Sequence, residues 1–220
     1  NIFLKVCDAM SYAHSQSVLH LDLKPSNIQI GPFGEVLVCD WGLGKVLGNK
    51  IFDDYQELSL NPDFLNDITL TGDMKGTPGF MAPEQIKDKY EKTEQTDIYA
   101  LGAILFNILS LNVPLSGELD EILQKTLDGS IPSPQDLSEK TLPKSLVAVV
   151  MKALENEPEQ RYHDVLELRH EVDQYLLGFA TEAQNASLFT ELSLFLKRHK
   201  HSSAVALFAL SSLLVTTVLF

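Results

Sequence analysis

The sequence predicts an α+β fold that is predominantly helical, with one small β-hairpin near its start and a single membrane-spanning helix at its end. Three observations carry this. Apolar residues recur at helical spacing over most of the chain. Two short apolar runs flank a Gly-Pro-Phe-Gly turn, and the last 19 residues, 202–220, contain no charge, proline or glycine.

Taken in order, Ile2, Phe3, Val6, Met10 and Ala13 fall on one helical face, so residues 1–17 form an amphipathic helix. Ile28-Gln29-Ile30 and Val36-Leu37-Val38-Cys39, separated by Gly31-Pro32-Phe33-Gly34, predict the hairpin. Residues 43–75 are polar and irregular, with Asp53, Asp54, Glu57, Asp63, Asp67 and Asp73. That is long for a loop in a compact domain, and such loops are often functional. Residues 96–110 are nearly all apolar, which predicts a helix buried on all sides. Further helices fit 118–128, 143–156 and 163–177, with turns at Pro132, Pro134 and Pro158, and Gly178 is placed to stop the last of them. Residues 181–197 alternate at helical period and connect the domain to the final segment. At about 1.5 Å per residue, the 19 residues of that segment span roughly 28 Å, close to the hydrocarbon thickness of a bilayer. Lys197-Arg198-His199-Lys200-His201 stands just before it, and this positive-inside signal places the preceding residues in the cytoplasm. The domains expected are therefore 1–178, a linker over 179–201 and a transmembrane helix over 202–220.

With 220 residues and 45% hydrophobic content, the chain holds one domain with an appendage and has enough apolar material for a core. A formal net charge of −13 argues against an electrostatic grip on nucleic acid. Cys7 and Cys39 lie inside apolar runs without metal-ligand spacing and read as buried thiols in a reducing compartment. No cleavable signal peptide opens the chain. It begins without methionine and in mid-helix pattern, as a fragment would.

The chemistry concentrates in His20-Leu21-Asp22-Leu23-Lys24-Pro25-Ser26-Asn27 and Asp40-Trp41-Gly42. Asp22 can accept or orient the proton of a hydroxyl. Lys24, two residues on along an extended loop, reaches the same side and can neutralise a transferring phosphoryl group. Asn27 offers a neutral oxygen and Asp40 a charged one, hard ligands that suit magnesium also held by substrate phosphates. Gly42 allows a turn after Asp40 that a side chain would obstruct. Downstream stand Gly76-Thr77-Pro78-Gly79-Phe80-Met81-Ala82-Pro83-Glu84, then Asp97-Ile98-Tyr99-Ala100-Leu101-Gly102, then Arg161. The glycines at 42, 44 and 48 resemble a nucleotide loop only loosely. Their spacing is wrong and no strand-to-helix context supports them.

This ordered set resembles the C-terminal lobe of a eukaryotic-like Ser/Thr protein kinase of the type many bacteria carry. The resemblance implies a kinase-like lobe with Asp22 as catalytic base, Lys24 as phosphate contact, and Asn27 and Asp40 as magnesium ligands. It implies that Thr77 bonds across to Asp22 and Lys24, and that His20 is a packed histidine holding the loop. Glu84 and Arg161 match a buried structural ion pair, and Asp97 matches an acid that braces the loop backbone. ATP and Mg2+ are the implied cofactors, and a protein hydroxyl the substrate. A homodimer is left open, and nucleic acid is excluded as a partner. The resemblance does not cover the lobe that carries the Gly-rich loop, its strand lysine and its helix glutamate.

Two residues depart from the family pattern. Leu21 stands where the family usually has an arginine that pairs with a phosphorylated loop, so phosphorylation at Thr69 or Thr71 is expected to activate weakly or through another residue. Gln29 stands where an apolar side chain usually lies under adenine. Its amide either weakens adenine binding or folds outward. The leading reading is ATP-dependent phosphorylation of protein Ser/Thr hydroxyls by a membrane-anchored kinase of which this chain is part. The alternatives are a pseudokinase scaffold, favoured by Leu21 and Gln29, and a small-molecule phosphotransferase, disfavoured by Gly76–Glu84.

Overall fold

The apolar run after Thr93 becomes the central helix, around which the other elements pack. The computed structural model describes residues 1–47, 78–86 and 91–199. Its elements are α1 (Ile2–Ser15), β1 (Val18–Leu19), β2 (Ile28–Ile30), β3 (Val36–Val38), β4 (Lys45–Val46), α2 (Pro83–Ile86), α3 (Glu94–Ser110), α4 (Leu119–Leu127), α5 (Lys144–Ala153), α6 (Val165–Leu176) and α7 (Leu188–Arg198). Thr69, Thr71, Thr77 and the apolar segment 202–220 lie outside the described residues. Among the described residues no helix is long and apolar enough to cross a membrane.

Helix α3 is buried at every position from Thr96 to Phe106, as its unbroken apolar run predicts; Ile108 near its end is half exposed. It packs on α5, while α1 packs on α6. Phe3, Val6, Cys7 and Met10 of α1 join Ile98 and Leu101 of α3, Val149 and Val150 of α5, and Leu168 of α6 in one core. Burying each such side chain contributes about 1.5–3 kcal/mol against the entropy of ordering the chain. The contact between α3 and α5 requires Gly102, because a Cβ there would lie 2.7 Å from the Cβ of Ala153.

The helix ends follow local chemistry. The backbone N–H of Thr93 donates to Thr96 Oγ1 at 3.1 Å where α3 begins. Asp164 caps α6 by accepting from the Glu167 N–H at 2.9 Å. Gly178 stops α6 in the left-handed region, with φ of +77°. The Phe179 N–H then reaches back to the Gln174 carbonyl and the Gly178 N–H to that of Tyr175, the paired bonds of a glycine-terminated helix.

Strands β2 and β3 pair antiparallel with Ile28 opposite Val38 and Ile30 opposite Val36, the expected hairpin. A second ribbon was not expected: β1 pairs with β4, Val18 opposite Val46. The linker also differs from expectation, since helix begins only at Ser187 and Leu188. Glu171, buried on α6, accepts from the Glu182 and Ala183 N–H groups, and Asn185 takes φ of +47°, which breaks the helical path before Ser187. Cys7 is fully buried, and burial pushes its thiol well above the ordinary range, whereas Cys39 is only partly buried.

Candidate active site

The loop between β1 and β2 is held from below by one carboxylate. Asp97, in the first turn of α3 and with 0% exposure, accepts the His20 N–H on Oδ2 and the Leu21 N–H on Oδ1, both at 2.8 Å. Its Oδ2 also meets His14 Nε2 at 2.8 Å. A buried carboxylate is costly unless its lone pairs are used; here three partners from α1 and the loop use them. Leu21 sits at φ of +63°, a conformation that costs a non-glycine residue about 1–3 kcal/mol unless its surroundings impose it.

His20 is fully buried and works through both ring nitrogens. Its Nδ1 accepts the Asp22 N–H at 3.3 Å, so the proton resides on Nε2, which donates to the Cys39 carbonyl at 3.0 Å. The ring also lies 4.6 Å from that of Trp41. Trp41 is half exposed and donates from Nε1 to the Val38 carbonyl. His20 thus ties the backbone at Asp22 to the strand end that carries Asp40.

Asp22, Lys24 and Asn27 come together. Lys24 Nζ lies 2.8 Å from Asp22 Oδ2, and Asn27 Nδ2 donates to the Asp22 carbonyl at 2.8 Å and to Asp22 Oδ2 at 3.2 Å. The Asn27 side chain is buried, yet its Oδ1 makes no hydrogen bond among the described residues. Hairpin register brings Asp40 to the same end: the Cys39 N–H donates to the Asn27 carbonyl at 2.8 Å. Asp40 is exposed, its carboxylate has no partner among the described residues, and it takes φ of +63°. The left-handed turn therefore falls on Asp40 itself, not on Gly42. Gly42 matters for a different reason, since a Cβ there would stand 3.3 Å from Asp40 Oδ1. One amide oxygen and one carboxylate, neither bonded among the described residues and both on adjoining strand ends, fit a magnesium ion that a ligand's phosphates also hold.

Gln29 lies in β2 with its side chain exposed, so its amide faces solvent and bears no desolvation cost in this chain. Glu84 and Arg161 form a buried, two-pronged pair: Nη1 to Oε1 at 2.7 Å and Nη2 to Oε2 at 2.8 Å. Arg161 also donates to the carbonyls of Glu155, Gln95 and Asn156, which occupies its whole fork. Burial alone raises the Glu84 carboxyl; the bonds and charge of Arg161 outweigh it and hold the group below the ordinary carboxylate range.

Two residues that the sequence did not single out complete the site. His14 extends the buried stripe of Phe3, Cys7 and Met10 and spends its ring on Asp97. A polar residue in register with an apolar face was the available signal. Gln85 donates from Nε2 to the Leu21 carbonyl at 2.7 Å and accepts the Ala82 N–H on Oε1 at 3.0 Å. A lone amide carries no periodicity, so nothing in the sequence marks it.

Residues 1–172 match the family of the protein kinase domain. Among curated relatives, the serine/threonine-protein kinase PknD of Chlamydia felis (strain Fe/C-56) is 36% identical over 181 residues, covering 81% of this chain and 19% of that protein. The PknD of Protochlamydia amoebophila (strain UWE25) is 38% identical over 182 residues, covering 80% of this chain and 18% of its own. That of Chlamydia trachomatis serovar D is 37% identical over 189 residues, with 80% and 19% covered. The chain spans about a fifth of the length of the curated relatives it matches.

Proposed function

The chain belongs to the protein kinase domain family, and from that premise we propose that it forms the C-terminal lobe, residues 1–178, of a Ser/Thr kinase that phosphorylates protein hydroxyls with ATP. The observation that carries this is the convergence of Asp22, Lys24 and Asn27 at the hairpin end that carries Asp40, whose carboxylate has no partner among the described residues. In the reaction the substrate hydroxyl oxygen bonds to the γ-phosphorus as the bond to ADP breaks, and the hydroxyl proton passes to Asp22. Lys24 faces the charge that develops on the transferring group. Asn27 and Asp40 would hold magnesium, which neutralises phosphate charge when bound. Asp97 and His20 fix the loop so that these groups need no reorganisation at the moment of transfer. Thr77, in our reading, binds across to Asp22 and Lys24 and favours hydroxyl substrates.

Membrane anchoring is part of the same proposal. The uncharged segment 202–220 is long enough to span, and the basic cluster Lys197–His201 sets the lobe on the cytoplasmic side. Helix α7 leads into it with Phe189, Leu192, Phe195 and Leu196 exposed. Two measurements on the full-length protein test the proposal. Radiolabelled phosphate transfer from ATP to protein is expected for the wild type and is lost in Asp40→Ala; equal background labelling in both would leave a non-catalytic scaffold. Flotation with vesicles is expected and is lost when 202–220 is deleted; flotation unaffected by the deletion would remove the anchor.

A further inference from the structure

Leu21 lacks the charged side chain through which its position is usually governed, yet its backbone is held from both sides. Its N–H goes to Asp97 Oδ1 at 2.8 Å, and its carbonyl to Gln85 Nε2 at 2.7 Å. The two bonds fix the peptide planes on either side of a Cα at φ of +63°, so a left-handed leucine persists where either peptide alone could rotate away. The second of those planes carries the N–H of Asp22, and its orientation sets where the Asp22 carboxylate stands.

Gln85 is itself aimed. Its Oε1 accepts the Ala82 N–H at 3.0 Å, which leaves only the amide nitrogen to face Leu21. The assignment is unambiguous because a carbonyl can only accept and an N–H can only donate. Gln85 belongs to α2, next to Glu84, and Glu84 is clamped by Arg161. A continuous line of bonds therefore runs from Arg161 through α2 to the peptide that precedes Asp22.

We propose that Gln85 is a positioning residue, a neutral latch that sets Asp22 for proton transfer without help from loop phosphorylation. The proposal rests on the kinase reading above. An amide bonded to a carbonyl carries no net charge, so phosphate on Thr69 or Thr71 has nothing to act on at position 21. The latch is closed by folding, and the loop it holds is in its working geometry from the outset.

The test uses the full-length protein, steady-state transfer to a peptide and hydrogen exchange at residues 20–22. Gln85→Met keeps length and removes both bonds; Gln85→Glu keeps the acceptor for Ala82 but turns an acceptor toward the Leu21 carbonyl. Both variants are expected to lose about tenfold in kcat, as a small misplacement of a reacting group does, with KM for ATP within about twofold and amide exchange at residues 20–22 accelerated. Wild type treated with phosphatase, or carrying Thr69→Ala and Thr71→Ala, is expected to keep its rate. Wild-type kcat and unchanged exchange in both Gln85 variants would overturn the latch, as would a tenfold loss on phosphatase treatment. A silent wild type would sink the kinase reading, and exchange left unaltered by the Gln85 substitutions in that silent protein would remove the latch as well.

Discussion

Arg161→Met is the most demanding perturbation the structure offers, because it keeps the stem and removes every donor. The guanidinium makes two bonds to Glu84 and three to the carbonyls of Glu155, Gln95 and Asn156. Breaking a buried pair by removing one partner costs about 3–5 kcal/mol, because the remaining charge is stranded. Three carbonyls without a donor add roughly 1 kcal/mol each where water does not reach them. A total of about 6–8 kcal/mol is comparable with the roughly 5–15 kcal/mol that a whole domain commands. With a urea slope of about 2 kcal/mol/M, the midpoint should fall by roughly 3–4 M, read by far-UV circular dichroism. The double variant Glu84→Gln with Arg161→Met should be more stable than Arg161→Met alone, since no buried charge is left. Acid should act in the same direction. The Glu84 carboxyl is held below its ordinary value of 4.5, so its contribution is fully present above that pH and is lost as pH falls through the lower folded value. The Glu84→Gln variant should lack this acid-dependent loss. A midpoint shift below about 0.5 M in Arg161→Met would refute the claim that the pair organises the lobe.

Two other substitutions probe the frame around the site. Gly102→Leu should lower stability by about 1–3 kcal/mol, seen as a lower Tm, because the first added carbon already meets Ala153 at 2.7 Å. An unchanged Tm would show that α3 and α5 can part without cost. Asp97→Asn should accelerate amide exchange at His20 and Leu21, since one amide oxygen cannot serve both N–H groups and His14. Exchange equal to wild type at both positions would show that the loop holds itself.

What could be read from the sequence was what is close in sequence or periodic. The central helix announced itself by an apolar run too continuous for a surface element, and the hairpin by Gly31 and Gly34 between two short runs. Asp22, Lys24 and Asn27 fall within six positions, so their convergence needs only a bent loop. The two-residue strands β1 and β4 were not legible, because a pair that short has no period. The linker pattern overruns its helix at the start, because periodicity does not register the left-handed Asn185 that breaks the path before Ser187. Asp97 and Arg161 were placed by resemblance, and no spacing rule would have joined them to partners 77 residues away. Gln85 and His14 show the deeper limit. Each has a use only in three dimensions, one bonded to a carbonyl and one to a buried carboxylate, and composition says nothing of either.

The reach of Asp97 also bears on how the protein is made. His20 precedes Asp97 by 77 residues. At a synthesis rate of roughly 5–20 residues per second, the loop emerges from the ribosome about 4–15 s before the carboxylate that shapes it exists. Arg161 lags Glu84 by another 77 positions. Through that interval residues 18–27 have no Asp97 to fold against, and the left-handed Leu21 has no frame to impose it. The catalytic loop thus takes shape well after it is made, and any arrest of translation between Asp22 and Asp97 yields a nascent chain without the carboxylate that shapes it.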